Sequence, residues 1–182
     1  SGLDQRMFGP QGLISQVVAV TRLTETRVQD GFSRWEPGNV SPDEGHRLLW
    51  GSHRSKKSWL PAYRAYGEGI LFVLNPAVLD TWSKVAGLGD TRADVGEPDA
   101  LSYRGVLAHC LAHSIMKHVS QDCGYPLPSI TDRIYDLPDG RTAFLVFTAE
   151  SDVLGTLGGL VEYASADRLG ALLRSATVVL AW

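Results

Sequence analysis

The chain has 182 residues, 44% of them hydrophobic and 20% charged, which is ordinary for a globular protein and enough for one sizeable core. Its net charge of −3 argues against a generic nucleic-acid binder, and its longest apolar runs fall well short of the roughly 18 residues needed to span a bilayer. Two cysteines, Cys110 and Cys123, are too few for a disulfide framework or a four-cysteine zinc site, so a cytoplasmic setting is expected. The opening SGLDQRMFGP lacks the basic and apolar regions of a signal peptide.

The first 13 residues are Gly/Pro-rich and expected to be extended. Ile14 to Leu23 is apolar and β-branched and predicts a buried strand. A polar stretch follows, with a turn at Asp30-Gly31. Residues 36–58 predict a long basic loop that contains Arg47, Arg54, Lys56 and Lys57, with Trp50 and Trp59 flanking its Arg54–Lys57 cluster. Charge is uneven along the chain: residues 1–66 hold nine Lys/Arg against six Asp/Glu, and the remainder holds eight against fourteen.

Trp59 to Leu74 predicts two short strands broken at Gly67-Glu68-Gly69. Asn75 and Pro76 suit the cap and first position of a helix whose apolar face carries Val78, Leu79 and Trp82 and which ends near Gly87. Residues 87–98 predict a connector. The strongest helical pattern runs from about Asp99 to Val119, capped by Asp99 or Ser102. Its apolar stripe is expected at Tyr103, Val106, Leu107, Cys110, Leu111, Ser114, Ile115 and His118, and Gly124 and Pro126 close it. Ile130 to Ala149 predicts a hairpin turning at Pro138-Asp139-Gly140. A Gly-rich elbow, 154–160, precedes a helix from about Ala166 to Ala176, capped by Ser165. The sum is α+β: a mixed or antiparallel sheet with a long central helix and a C-terminal helix, read as one domain over 1–182.

Three features invite a chemical reading. His109 and His113, four apart on one helical face, can reach one metal ion. The general-base Glu of zinc proteases is replaced by Cys110, and Glu68, Asp152 and Glu162 are the guesses for a third ligand. The bland alternative is two imidazoles hydrogen-bonded to nearby groups, and it is preferred. Gly155, Gly158 and Gly159 can expose backbone N–H groups to an anion, but the spacing fits no phosphate-binding motif, and tight turn packing is the simpler reading. The basic loop can pair phosphates while a tryptophan stacks a base; a solvated loop is the simpler alternative.

Five segments in order carry a resemblance. They are Gly31-Phe32-Ser33-Arg34; Trp59-Leu60-Pro61-Ala62 with Gly67-Glu68-Gly69-Ile70; Tyr103-Arg104-Gly105-Val106-Leu107-Ala108-His109 with Leu111-Ala112-His113; Arg133-Ile134-Tyr135; and Gly155-Thr156-Leu157-Gly158-Gly159-Leu160-Val161. From about Val17 to Trp182 the chain resembles the C-terminal region of DrmB proteins of the DISARM anti-phage system, and is similar to the MZB accessory domain of MrfA-type DNA-repair helicases. The resemblance implies a bacterial accessory domain, non-catalytic, that supports a DrmA-like helicase and engages DNA. It also implies a larger protein of which this chain is a fragment. A Cys-rich zinc segment is expected beyond Trp182, leaving no cofactor in this chain itself. It assigns no role to His109, His113, Gly155, Gly158 or Gly159. A metal-dependent hydrolase using the His109/His113 pair is the alternative.

Overall fold

A computed structural model of the chain describes residues 8–9, 11–29, 61–86, 102–150 and 159–180. The predicted basic loop 36–58, the turn at Asp30-Gly31, the connector 87–98 and the elbow through Gly158 lie outside the described residues.

Four strands, β1 (Ile14–Val28), β2 (Ala62–Leu74), β3 (Ile130–Asp136) and β4 (Thr142–Glu150), form one sheet in the order β1-β2-β4-β3. Every pairing is antiparallel, which resolves the expected mixed or antiparallel sheet. Helices α1 (Pro76–Val85) and α2 (Tyr103–Cys123) lie in sequence between β2 and β3, and α3 (Ala166–Leu180) follows β4. The class is α+β, as expected.

The local signals for the helices hold. Asn75 Oδ1 accepts the Ala77 N–H at 3.2 Å, with Pro76 at the first helical position. Ser102, not Asp99, caps α2: its Oγ accepts the Gly105 N–H at 3.2 Å. Gly124 closes α2 at φ 72°, a left-handed conformation that favours glycine. The α2 stripe is rotated from the expected one. Ala108, Leu111, Ala112, Ile115, Met116 and Val119 are buried, whereas Val106 and Cys110 are exposed. Leu111, Ser114 and Ile115 of the expected stripe are buried, so the packed face overlaps the expected one and extends toward Ala108, Ala112, Met116 and Val119.

Those residues meet Ile70, Phe72 and Leu74 of β2, Phe144 and Val146 of β4, and Leu169, Leu172, Leu173 and Ala176 of α3 in one core. The rings of Phe72 and Phe144 stack at 4.9 Å between centroids. Ser114 Oγ donates to the Ala176 carbonyl at 2.8 Å, so the polar atom buried between α2 and α3 is satisfied. On the other face of the sheet, Ala65, Leu145 and Phe147 form a smaller cluster. Arg133 on β3 donates to Glu25 on β1 at 3.3 Å. Because Arg133 pairs with Leu145 and Glu25 with Ala65, this strap runs from one edge strand to the other over that cluster.

Three strand expectations change. First, β1 continues five residues past Leu23, through the polar Thr24 to Val28, and it is an edge strand rather than a buried one; of its residues Ile14 alone is fully buried. An edge strand needs apolar residues on fewer positions. Second, β2 is unbroken through Gly67-Glu68-Gly69. The irregularity lies in its partner: Val20 pairs with Gly69 and Leu23 with Gly67, so one extra β1 residue is accommodated opposite Glu68. Third, Gly69 serves close approach, not a bend: a Cβ there would lie 2.7 Å from the Val146 carbonyl oxygen and 2.8 Å from Phe147 Cβ on β4. The hairpin of β3 and β4 and the C-terminal helix stand where expected, with α3 reaching Leu180.

Candidate functional site

His109 and His113 project from successive turns of α2, and both are about half exposed. Their rings meet edge to face with centroids 4.3 Å apart. The strand beneath supplies a carboxylate. Asp132 of β3 places Oδ2 2.9 Å from His109 Nδ1 and Oδ1 3.8 Å from His113 Nε2. One ligand atom from each of the three residues falls within 4.8 Å of the others. Two imidazole nitrogens and one carboxylate oxygen thus converge where α2 crosses the sheet edge.

Asp132 is not among the third ligands expected from sequence. Glu68 is buried on β2 and accepts the Leu160 N–H at 2.8 Å. Glu162 pairs with Arg168 at 3.0 Å. Asp152 lies outside the described residues. A signal for Asp132 was nonetheless present. Side chains alternate along a strand, so Ile130, Asp132 and Ile134 share one face, and the carboxylate is the polar member of an apolar row.

Other motif residues turn out to be joined to one another. The Glu68–Leu160 bond ties the Gly67-Glu68-Gly69 segment to the end of the glycine elbow across 92 residues. Arg104 Nε donates to Tyr103 Oη at 3.0 Å and Arg104 Nη1 to the Gly140 carbonyl at 3.1 Å, and its guanidinium also pairs with Asp80 of α1. The hydrogen bond to Tyr103, with the Asp80 charge, raises the Arg104 pKa further above its ordinary value. Of the elbow, Gly159 is half-buried, and a Cβ on it would meet Tyr125 Oη at 3.3 Å. Gly155 and Gly158 are outside the described residues.

A second surface stands apart from the histidines. Glu150, the last described residue of β4, lies opposite Tyr66, and among the described residues Glu25–Val28 and Ala62–Ala65 continue beyond it as a β1–β2 ribbon. Tyr63 and Tyr66 are more than half exposed on it, beside Arg27 and Arg64. Arg27 is held by Glu25 Oε2 at 2.7 Å and donates to Tyr63 Oη at 3.4 Å; these bonds raise its pKa, the one to Tyr63 most. At the tip the Gln29 N–H donates to the Pro61 carbonyl at 3.0 Å. The sequence between these two residues holds Arg47, Arg54, Lys56 and Lys57, all outside the described residues. Sequence reasoning missed the ribbon because Thr24–Val28 looked merely polar, though its Thr-Glu-Thr-Arg-Val alternation is a strand pattern.

No family model matches the chain. Among curated proteins it aligns with the DISARM protein DrmB of Bacillus paralicheniformis, with 29% identity over 179 residues. The chain is similar to DrmB. The alignment takes in 90% of this chain and 31% of that DrmB, so the chain spans about a third of its relative. It therefore includes the histidine pair, the ribbon and the joined motif segments in one stretch of likeness to DrmB. Among the described residues, no helix is long and apolar enough to cross a membrane.

Proposed function

We propose that this chain is a DrmB-like component of a DISARM-type anti-phage system, acting as a non-catalytic accessory domain that engages DNA beside a DrmA-like helicase. The observation that carries this reading is the likeness to DrmB along nine-tenths of the chain. The exposed β1–β2 ribbon supports the DNA half of it. Tyr66 and Arg64 share one face of the strand and Tyr63 and Arg27 the other, so each face offers a flat ring on which an unpaired base stacks beside an arginine that faces phosphate. The basic stretch with Arg47, Arg54, Lys56 and Lys57 lies in sequence between Gln29 and Pro61, which are hydrogen-bonded at this ribbon's tip. The chain's net charge of −3 makes a local patch, rather than a general basic surface, the expected mode.

The hydrolase alternative needs a general base beside the metal ligands. The position after His109 is Cys110, and Asp132 is engaged by the histidines themselves. An accessory role asks for no such base.

The test is fluorescence anisotropy with an overhang-bearing DNA duplex, for the chain alone and with a DrmA-like helicase, together with size-exclusion chromatography of the two proteins. The accessory reading expects co-elution with the helicase and DNA affinity that falls steeply with salt. Reversing Arg47, Arg54, Lys56 and Lys57 together is expected to make the slope of log affinity against log salt shallower, by about 0.7–0.9 for each phosphate no longer neutralised. Unchanged binding in this variant and in Arg64→Glu would remove DNA from the proposal; failure to co-elute would remove the helicase.

A further inference from the structure

We infer that His109, His113 and Asp132 form a binding site for a divalent transition-metal ion, zinc by its chemistry, which clasps α2 to the edge strand β3. The inference is independent of the accessory-domain reading and rests on the geometry of three side chains.

Zinc bound by imidazole and carboxylate sits about 2.0–2.2 Å from each donor, so tetrahedral ligands stand about 3.3–3.5 Å apart. The pairs seen here, 2.9 Å for His109 Nδ1 to Asp132 Oδ2 and 3.8 Å for His113 Nε2 to Asp132 Oδ1, bracket that spacing. Those two pairs use different oxygens of Asp132; with one atom from each residue the donors lie within 4.8 Å of one another, so side-chain rotation must draw them together around an ion. The backbone beneath is regular: two histidines one helical turn apart and a carboxylate on a hydrogen-bonded strand.

A hydrogen bond between Asp132 and His109 accounts for only part of the arrangement. It leaves His113 beside the same carboxylate with its ring against His109. A single divalent ion satisfies all three donors at once, with one net positive charge remaining. Two nitrogens and one oxygen suit zinc and its neighbours, whereas magnesium and calcium prefer sets made of oxygen. The histidines are about half exposed and Asp132 is largely covered, so an ion can enter from solvent and meet an anchored carboxylate. Three protein ligands leave a fourth position, toward solvent, for water or a further donor. The donor set contains no thiolate and is distinct from a four-cysteine site.

The test is isothermal titration of the chelator-treated chain with zinc chloride, alongside thermal unfolding with and without zinc. One zinc per chain is expected, with a higher unfolding midpoint because only the folded state brings the ligands together. Cobalt(II) in place of zinc is expected to give the intense visible absorption of a low-coordinate site. Asp132→Asn and His113→Asn are each expected to weaken zinc at least about tenfold, the lower end of what even outer-sphere partners contribute to metal sites. Magnesium at large excess is expected to leave the titration unchanged. Circular dichroism establishes which variants fold. Absence of zinc binding by the parent chain would overturn the site, as would unchanged zinc affinity in folded Asp132→Asn and His113→Asn, which would place the ion elsewhere.

Discussion

Beneath α2 and α3, β2 and β4 are covered side by side: Phe72, Phe144, Ile70 and Val146 are out of water, and even Glu68 has its hydrogen-bond donor. A few residues away along the same β2, Tyr66 still pairs with Glu150 but is exposed, and Tyr63 and Arg64, beyond the described pairing with β4, also face solvent. One strand thus serves two regimes. In the first, side chains hold the fold together. In the second, a two-stranded ribbon of a kind that is marginal alone is kept by its attachment and by the Glu25–Arg27–Tyr63 bonds. Tyr66 takes no part in those bonds, which leaves its exposed ring available for binding.

The sharpest way to break this contrast is to truncate each region in turn. Phe144→Ala removes a ring stacked on Phe72 and leaves a cavity in the core; a loss of about 3–5 kcal/mol is expected in urea unfolding. A much smaller loss would mean that the core can collapse around the gap. Next in size is Glu68→Leu, which leaves the buried Leu160 N–H without its acceptor and is expected to cost about 1–3 kcal/mol. Glu68→Gln keeps an acceptor oxygen and is expected to recover most of that loss; equal losses for the two would show that the bond to Leu160 contributes nothing.

The ribbon is expected to answer in the opposite way. Tyr66→Ser and Arg64→Glu should shift stability by no more than about 0.5 kcal/mol while weakening DNA binding, measured on the same preparations. A large stability loss would place the ribbon with the core instead. The smallest expected effect lies at the β3–β4 turn. The Arg141 backbone N–H, and then its guanidinium, hold the exposed Asp139 carboxyl below its ordinary pKa. A carboxyl lowered in the folded state adds stability above its unfolded pKa of about 3.9 and loses it as pH falls through the folded value. Asp139→Asn is therefore expected to be slightly less stable than the parent at neutral pH, with the gap closing in acid. A gap that stays constant through the acid range would assign it to the turn geometry rather than to charge.

Caps, turns and alternation are local, and the sequence carried them. Asn75-Pro76, Ser102 and Gly124 bound their helices because each acts on backbone groups within a turn of itself. Pro138-Asp139-Gly140 placed the β3–β4 hairpin for the same reason, and the five motif segments pointed to DrmB. The face that α2 buries was not local. Ala108 and Ala112 are buried with Leu111 and Ile115 in the core shared with the sheet and α3, and the stripe of larger residues gave no sign of that. Gly67-Glu68-Gly69 looked like a break because glycine usually marks one; only the approach of β4 explains why Gly69 has no side chain.

The candidate site divides along the same line. The sequence by itself determined the histidine pair, since helical spacing puts residues four apart on one face. It also determined that basic residues lie between the first two strands. Only the tertiary structure decided that Asp132, well beyond His113 in the chain, completes the cluster, and that Glu68 is occupied by Leu160. Pairings of that kind depend on how a helix lies across a sheet. That crossing is set by the whole core at once, which no spacing rule along the chain contains.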